Sequence, residues 1–197
     1  MIKTLCFGGS FNPIHVGHLI CARAVAEKGG FDRVLLIPSA QPPHKPSAEM
    51  AEAEHRLHLC QLAAAEQRNL FGTCDVEMRR IGPSYTLDTA RTLKAGGLEE
   101  VYWLIGGDTV PHLQHWHQPE DLMEEVRFIV MARPGWSLDW PSLPDPYRRL
   151  ESAVVEAPLI DISATEIRRR IAAGLSIAYL TPPPVAAYIE SHHLYRL

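Results

Sequence analysis

The densest chemistry in the chain lies in Gly8-Gly9-Ser10-Phe11-Asn12-Pro13-Ile14-His15-Val16-Gly17-His18. Glycines let a backbone approach a phosphate closely, and a helix beginning at about Val16 adds unpaired N–H groups and a positive dipole end. His15 and His18 are three residues apart at the mouth of that helix, so both rings can face one ligand. Gly17 keeps the space between them clear of a side chain. This is neither the six-position dinucleotide fingerprint nor the phosphate loop ending in Gly-Lys-Ser/Thr. Two plainer readings compete: a histidine pair that caps the helix, or a metal site. A metal would need further ligands, and the neighbouring sequence assigns none.

A second chemical stretch is Ile162-Ser163-Ala164-Thr165-Glu166-Ile167-Arg168. Ser163 and Glu166 have capping-box spacing, which accounts for both without any ligand. Arg168 differs, because it sits early in the expected helix, where the dipole favours an acid. An arginine there suits a grip on a triphosphate. Arg169 and Arg170 read as a solvated helix face.

The elements that must position these residues follow from hydrophobic pattern and turn signals. Strands are expected at Ile2–Phe7, Arg33–Ile37, Thr73–Arg79, Val101–Ile105, Arg127–Ala132 and Val154–Glu156. Helices are expected at about Val16–Lys28, Ala51–Arg68, Ser84–Lys94, Pro119–Val126, Ala164–Ala173 and Val185–His192. Pro134–Pro146 reads as an irregular surface connection. Short apolar strands separated by helices imply an α/β fold with a parallel sheet covered on both faces. The Gly-His segment then falls between the first strand and first helix, where such sheets place their ligand crevice. One domain over residues 1–197 is expected, with a small C-terminal helical cap from about residue 158.

Composition narrows the classes. The 197 residues are 46% hydrophobic and 21% charged, an ordinary globular balance. No apolar run reaches the roughly 18 residues of a membrane-spanning helix, and no export signal opens the chain. Cys6, Cys21, Cys60 and Cys74 are widely spaced and read as free thiols of a cytoplasmic protein. The net charge of −4 argues against nucleic acid as partner. Positive charge must therefore be concentrated locally if the ligand is an anion.

GGSFNPIHVGHL resembles the HxGH signature of the nucleotidyltransferase superfamily, and ISATEIR resembles its ISSTxIR motif, with Ala164 in place of the usual second serine. That resemblance implies a Rossmann-like doubly wound sheet. It also implies ATP binding by Gly8, Gly9, Ser10, Phe11, His15, His18, Ile162, Ser163 and Arg168. The two histidines and Arg168 would stabilise charge as pyrophosphate leaves.

Further stretches are similar to the bacterial nicotinate-nucleotide adenylyltransferases, and the likeness covers nearly the whole chain. In Pro42-Pro43-His44-Lys45, Lys45 would offer a point charge to a phosphate and join the catalytic set; by itself it reads equally as a surface lysine. Ser84-Tyr85-Thr86 would supply backbone N–H groups to a nicotinate carboxylate, although composition alone makes it an ordinary helix start. Gly106 and Asp108 of Gly106-Gly107-Asp108 would contact the nucleotide. Trp116 would stack on the pyridine ring, a core tryptophan being the plainer reading, and Arg133 matches the family's pattern after the next strand. His112, His115 and His117 read as a polar surface turn.

The resemblance implies adenylyl transfer from ATP to nicotinate mononucleotide, with Mg2+ delivered on the triphosphate. The acceptor phosphate is already anionic, so no general base is required, and positioning and electrostatics carry the catalysis. Nicotinamide mononucleotide, phosphopantetheine or glycerol phosphate as acceptor, or a non-catalytic adenine-nucleotide sensor, are the alternatives. The oligomeric state is left open, a homo-oligomer included.

Overall fold

A computed structural model describes residues 2–43 and 50–196. Six strands form one all-parallel sheet: β1 (Thr4–Gly9), β2 (Arg33–Pro38), β3 (Phe71–Thr73), β4 (Tyr102–Gly106), β5 (Arg127–Ala132) and β6 (Val154–Glu156). Their spatial order is β3-β2-β1-β4-β5-β6. The helices are α1 (Val16–Gly29), α2 (Ala53–Ala65), α3 (Thr86–Ala95), α4 (Pro119–Glu125), α5 (Ala164–Ala172) and α6 (Pro183–Ser191). The chain winds outward from β1 through β2 to β3, then returns to add β4 on the other side of β1. That reversal opens a crevice at the carboxyl ends of β1 and β4.

Alternation along each strand builds two cores. Leu5, Val34, Leu36 and Leu104 point to one face, with α1, α2, α5 and α6. Cys6, Ile37, Trp103 and Ile105 point to the other, with α3, α4 and the segment after β4. A parallel sheet buried on both faces needs this near-continuous apolar character. The tail joins the first core through Ile167, Ile177, Val185 and Ile189. No helix among the described residues is long and apolar enough to cross a membrane.

Several boundaries differ from the sequence expectation. β1 starts later and runs through Gly8 and Gly9, which pair with Ile37 and Pro38 as strand rather than turn. A Cβ at Gly8 would lie 2.2 Å from the Trp103 ring, so glycine here admits an indole against the strand. The expected strand Thr73–Arg79 stops at Thr73. Beyond it Asp75 accepts from the Met78 N–H and pairs with Arg79, which closes a turn. Gly107–His115, unassigned from sequence, is a 3-10 helix, as are Trp140–Ser142 and Tyr147–Ala153.

The helix expected from Ala51 begins at Ala53, because Ala51 is drawn into a tie between loops. Arg56, 1% exposed, donates through Nε to the Ala51 carbonyl (2.9 Å). Its Nη1 donates to Ser10 O (2.8 Å) and Ser39 O (2.6 Å), and its Nη2 to Ala40 O (3.1 Å). The Ala51 N–H in turn reaches Asn12 Oδ1 at 3.0 Å. One planar fork thus gathers the loop after β1, the loop after β2 and the entry to α2. Lysine would keep the charge but cannot reproduce the fork. Arg56→Lys should therefore lower unfolding free energy by about 2–3 kcal/mol, the scale of hydrogen bonds to a charged group. An unchanged urea midpoint would refute the tie.

Candidate active site

The two histidines are both cap and candidate ligand. His15 is the N-cap of α1 and His18 its third residue. The His18 N–H donates to His15 Nδ1 at 3.3 Å, and the His15 N–H donates to His18 Nδ1 at 3.2 Å. This is a reciprocal capping box built from two imidazoles, with the rings stacked at 3.6 Å and 23°. Each Nδ1 accepts, so in the neutral rings the proton sits on Nε2. The capping and ligand readings are therefore compatible: one nitrogen holds the helix and the other presents an N–H donor.

Packing fixes both rings. A Cβ at Gly17 would come within 3.1–3.2 Å of the His15 ring and Ile160, so a side chain there would crowd the ring. Phe11 meets the His18 ring edge-on at 5.2 Å, and Phe7 meets Phe11 at 5.3 Å. Phe11 accepts a left-handed φ of 42° to make that contact. His15 is 6% exposed, and burial pushes its pKa down to about 4. At neutral pH its ring therefore carries no charge. The first helix turn is also less open than expected: the Val16 N–H is taken by Leu180 O at 3.0 Å.

The second motif arrives from 156 residues away. Arg168 Nη1 donates to the Asn12 carbonyl at 2.9 Å, which fastens α5 to the Gly-His loop. Ser163 caps α5, its Oγ accepting from the Glu166 N–H at 3.1 Å. Glu166 pairs with Arg169 at 2.7 Å. Arg170, expected to be merely solvated, donates to Ser176 O at 2.8 Å.

A cavity of about 140 Å³ opens at the start of α3, with Gly8 and Gly9 at the end of β1 and Trp103 of β4 among its lining residues. Gly8, Gly9, Ser84, Tyr85, Thr86 and Trp116 all line it, so three separate sequence stretches converge. α3 starts at Thr86, and its N-cap Tyr85 makes no side-chain cap, so the first-turn N–H groups lack that partner. Trp116 is cavity wall and core edge together, since it also packs edge-on against Phe128 at 6.4 Å. Asp108, on the 3-10 helix after Gly106, is exposed and shares a neighbouring cavity with Trp116. Arg133, at the end of β5, is exposed and does not line the cavity at the start of α3. Lys45 lies outside the described residues.

Sequence reasoning missed four contributors. Arg56 was signalled only as a charge on the apolar stripe Arg56, Leu59, Cys60, Ala63 of α2. Trp103 and Glu77 line the cavity without any motif. His117, expected in a surface turn, stacks on Tyr85 at 4.0 Å and 16° and forms part of the cavity wall.

The histidine pair makes a pH prediction. A folded-state pKa of about 4 against the ordinary value near 6.5 means the unfolded chain binds the extra proton. The stability from neutral His15 is complete above about pH 6.5 and is lost as pH falls toward 4. His15→Asn can still cap α1 and should flatten that part of a urea-midpoint against pH curve. An NMR titration placing His15 near 6.5 would overturn the assignment.

With this geometry in hand, the likeness to other proteins is specific. Residues 6–170 match the cytidylyltransferase-like family model. A probable nicotinate-nucleotide adenylyltransferase of Salinibacter ruber is 44% identical over 191 residues, 96% of each chain. Another from a Roseiflexus species is 41% identical over 191 residues, again 96% of each. Among solved structures, a Plasmodium falciparum nicotinic acid mononucleotide adenylyltransferase complexed with NaAD aligns with a TM-score of 0.76 at 19% identity. That alignment covers 98% of this chain and 97% of the other, and at such identity it speaks for the fold. By sequence over nearly its full length, this chain belongs to the cytidylyltransferase-like family and, within it, to the nicotinate-nucleotide adenylyltransferases.

Proposed function

We propose that the protein transfers the adenylyl group of ATP to nicotinate mononucleotide, yielding nicotinate adenine dinucleotide and pyrophosphate for NAD biosynthesis. The observation that carries this reading is that Gly8 and Gly9, which line a small aromatic-walled cavity at the start of α3, lead directly into a loop whose Phe11 packs on a reciprocally capped histidine pair. The names of the relatives support it, as does the NaAD held by the Plasmodium falciparum enzyme.

In this mechanism the acceptor phosphate oxygen forms a bond to the α-phosphorus of ATP. The bond from that phosphorus to the bridging oxygen breaks, and its electron pair leaves on pyrophosphate. His18 and His15 donate from Nε2 to phosphate oxygens, His15 without bringing a charge. Ser10, Ser163 and Arg168 meet the β- and γ-phosphates, Arg168 supplying cationic charge while one of its nitrogens holds Asn12. Lys45 contributes a second charge. Asp108 and Gly106 lie toward the ribose, and Trp116 flanks the pyridine ring. The N–H groups at the start of α3 receive the nicotinate carboxylate, a placement favoured by the positive helix end. Preorganised donors of this kind stabilise charge as it develops without reorganising at the moment of reaction.

Magnesium belongs to the substrate in this reading. Among the described residues no group of three or more His, Cys, Asp or Glu could hold a metal ion. The donor set here is imidazole, hydroxyl and guanidinium, which suits phosphate oxygens better than a hard cation. The ion then arrives as MgATP and neutralises triphosphate charge.

The test is pyrophosphate release with MgATP, comparing nicotinate mononucleotide, nicotinamide mononucleotide and phosphopantetheine. Strong preference for the nicotinate acceptor is expected. Preference for another acceptor would overturn the substrate assignment, and ATP binding without turnover would make the chain a nucleotide sensor. His18→Ala should reduce kcat by about a hundredfold or more, the scale of losing one transition-state donor. Near-normal turnover in that variant would remove His18 from the mechanism.

A further inference from the structure

α3 differs from the other helices of the site in how its beginning is held. α1 is capped by the imidazoles of His15 and His18, and α5 by Ser163, but Tyr85 gives α3 no side-chain cap. An uncapped end suits a helix that must offer its N–H groups to a ligand. It also leaves the first turn without its usual anchor, so something else must hold Ser84–Leu87 against the cavity.

That anchor lies one turn further in. Thr89 is fully buried, and its hydroxyl donates to Glu77 Oε1 at 2.8 Å and accepts from Arg80 Nη2 at 3.1 Å. Glu77 is 4% exposed and stands in the turn after β3. Burial raises its pKa, opposed by the nearby Ser84 and Thr89 hydroxyls, by Arg80 and by the Ala40 N–H. From the other side Ser84 and Gln41 exchange bonds: the Ser84 N–H donates to Gln41 O (2.8 Å), and the Gln41 N–H to Ser84 Oγ (3.1 Å). The start of α3 is therefore held between the loop after β2 and a buried polar bracket behind it.

The bracket also disposes of an awkward charge. Glu77 lines the cavity, and a loose carboxylate there would compete with an anionic ligand for the N–H groups of α3. Its Oε1 accepts from Thr89 and Arg80 faces the carboxylate, so that oxygen is turned into the fold, while Oε2 is buried without a hydrogen-bond partner among the described residues.

We propose that Glu77 and Thr89 are positioning residues for the acceptor subsite: they orient the uncapped start of α3 and so control affinity for the acceptor, not the adenylyl-transfer step. This rests on the reading of the cavity as the nicotinate mononucleotide site. Neither residue needs to touch ATP.

The experiment is steady-state kinetics on the full-length enzyme, varying nicotinate mononucleotide at saturating MgATP and the reverse. Thr89→Val removes the hydroxyl while keeping the shape, and should raise KM for the acceptor about tenfold or more, the scale of a lost hydrogen bond to a charged group. kcat and KM for ATP should stay within about twofold, and Thr89→Ser should restore most of the acceptor affinity. Glu77→Gln should shift acceptor KM the same way, and it serves if the valine variant fails to fold. An unchanged acceptor KM, or parallel losses toward ATP and acceptor, would overturn the proposal. If the wild-type enzyme prefers a different acceptor, the substrate reading fails, and the same KM-against-kcat split on that acceptor decides the bracket.

Discussion

Four backbone carbonyls from three separate stretches meet on one guanidinium, and the geometry of the crevice depends on that meeting. Ser10 follows β1, Ser39 and Ala40 follow β2, and Ala51 precedes α2. Loops at the carboxyl ends of parallel strands have no ladder to hold them, and their carbonyls must find donors if they are buried. Arg56 supplies these donors from inside the protein, so the loops converge without narrowing the space between them. Its burial opposes its own charge, and only a full set of acceptors makes such a group tolerable.

The histidine pair solves a related problem. In the proposed phosphate role, the end of α1 must satisfy its own N–H groups and still offer donors outward. Two imidazoles in a reciprocal cap do both, because each ring has two nitrogens with opposite roles. The geometry therefore selects the neutral tautomer before any substrate arrives. Arg168, through its contact with Asn12, ties the last third of the chain to the first loop. α3 is built on the opposite plan, with its end left uncapped at the cavity and its support moved one turn back.

Glycine in the first motif has a double meaning that the sequence did not separate. Gly8 and Gly9 suggest close approach to a phosphate, yet in the fold they are strand residues, and Gly8 gives way to Trp103. The missing side chains still shape the ligand region, since both residues line the cavity. Gly17 likewise serves the His15 ring and Ile160.

Local pattern by itself determined much of this protein. Strands Arg127–Ala132 and Val154–Glu156 have the bounds expected from their apolar runs, and α1, α4, α5 and α6 begin within about two residues of expectation. His15 and His18 are three residues apart, so their meeting across the first turn of α1 was legible from spacing. Where the rule is local, as with a cap or a periodic face, the sequence carries it. The turn at Asp75–Arg80 was not legible, because what holds Glu77 there is Thr89, twelve residues on and in another element. The convergence on Arg56, the contact of Arg168 with Asn12 and the stacking of His117 on Tyr85 likewise join residues far apart in the chain. Such pairings arise only when the sheet brings strand ends together, so the tertiary structure alone decided which donors meet which acceptors, and with that the walls of the cavity.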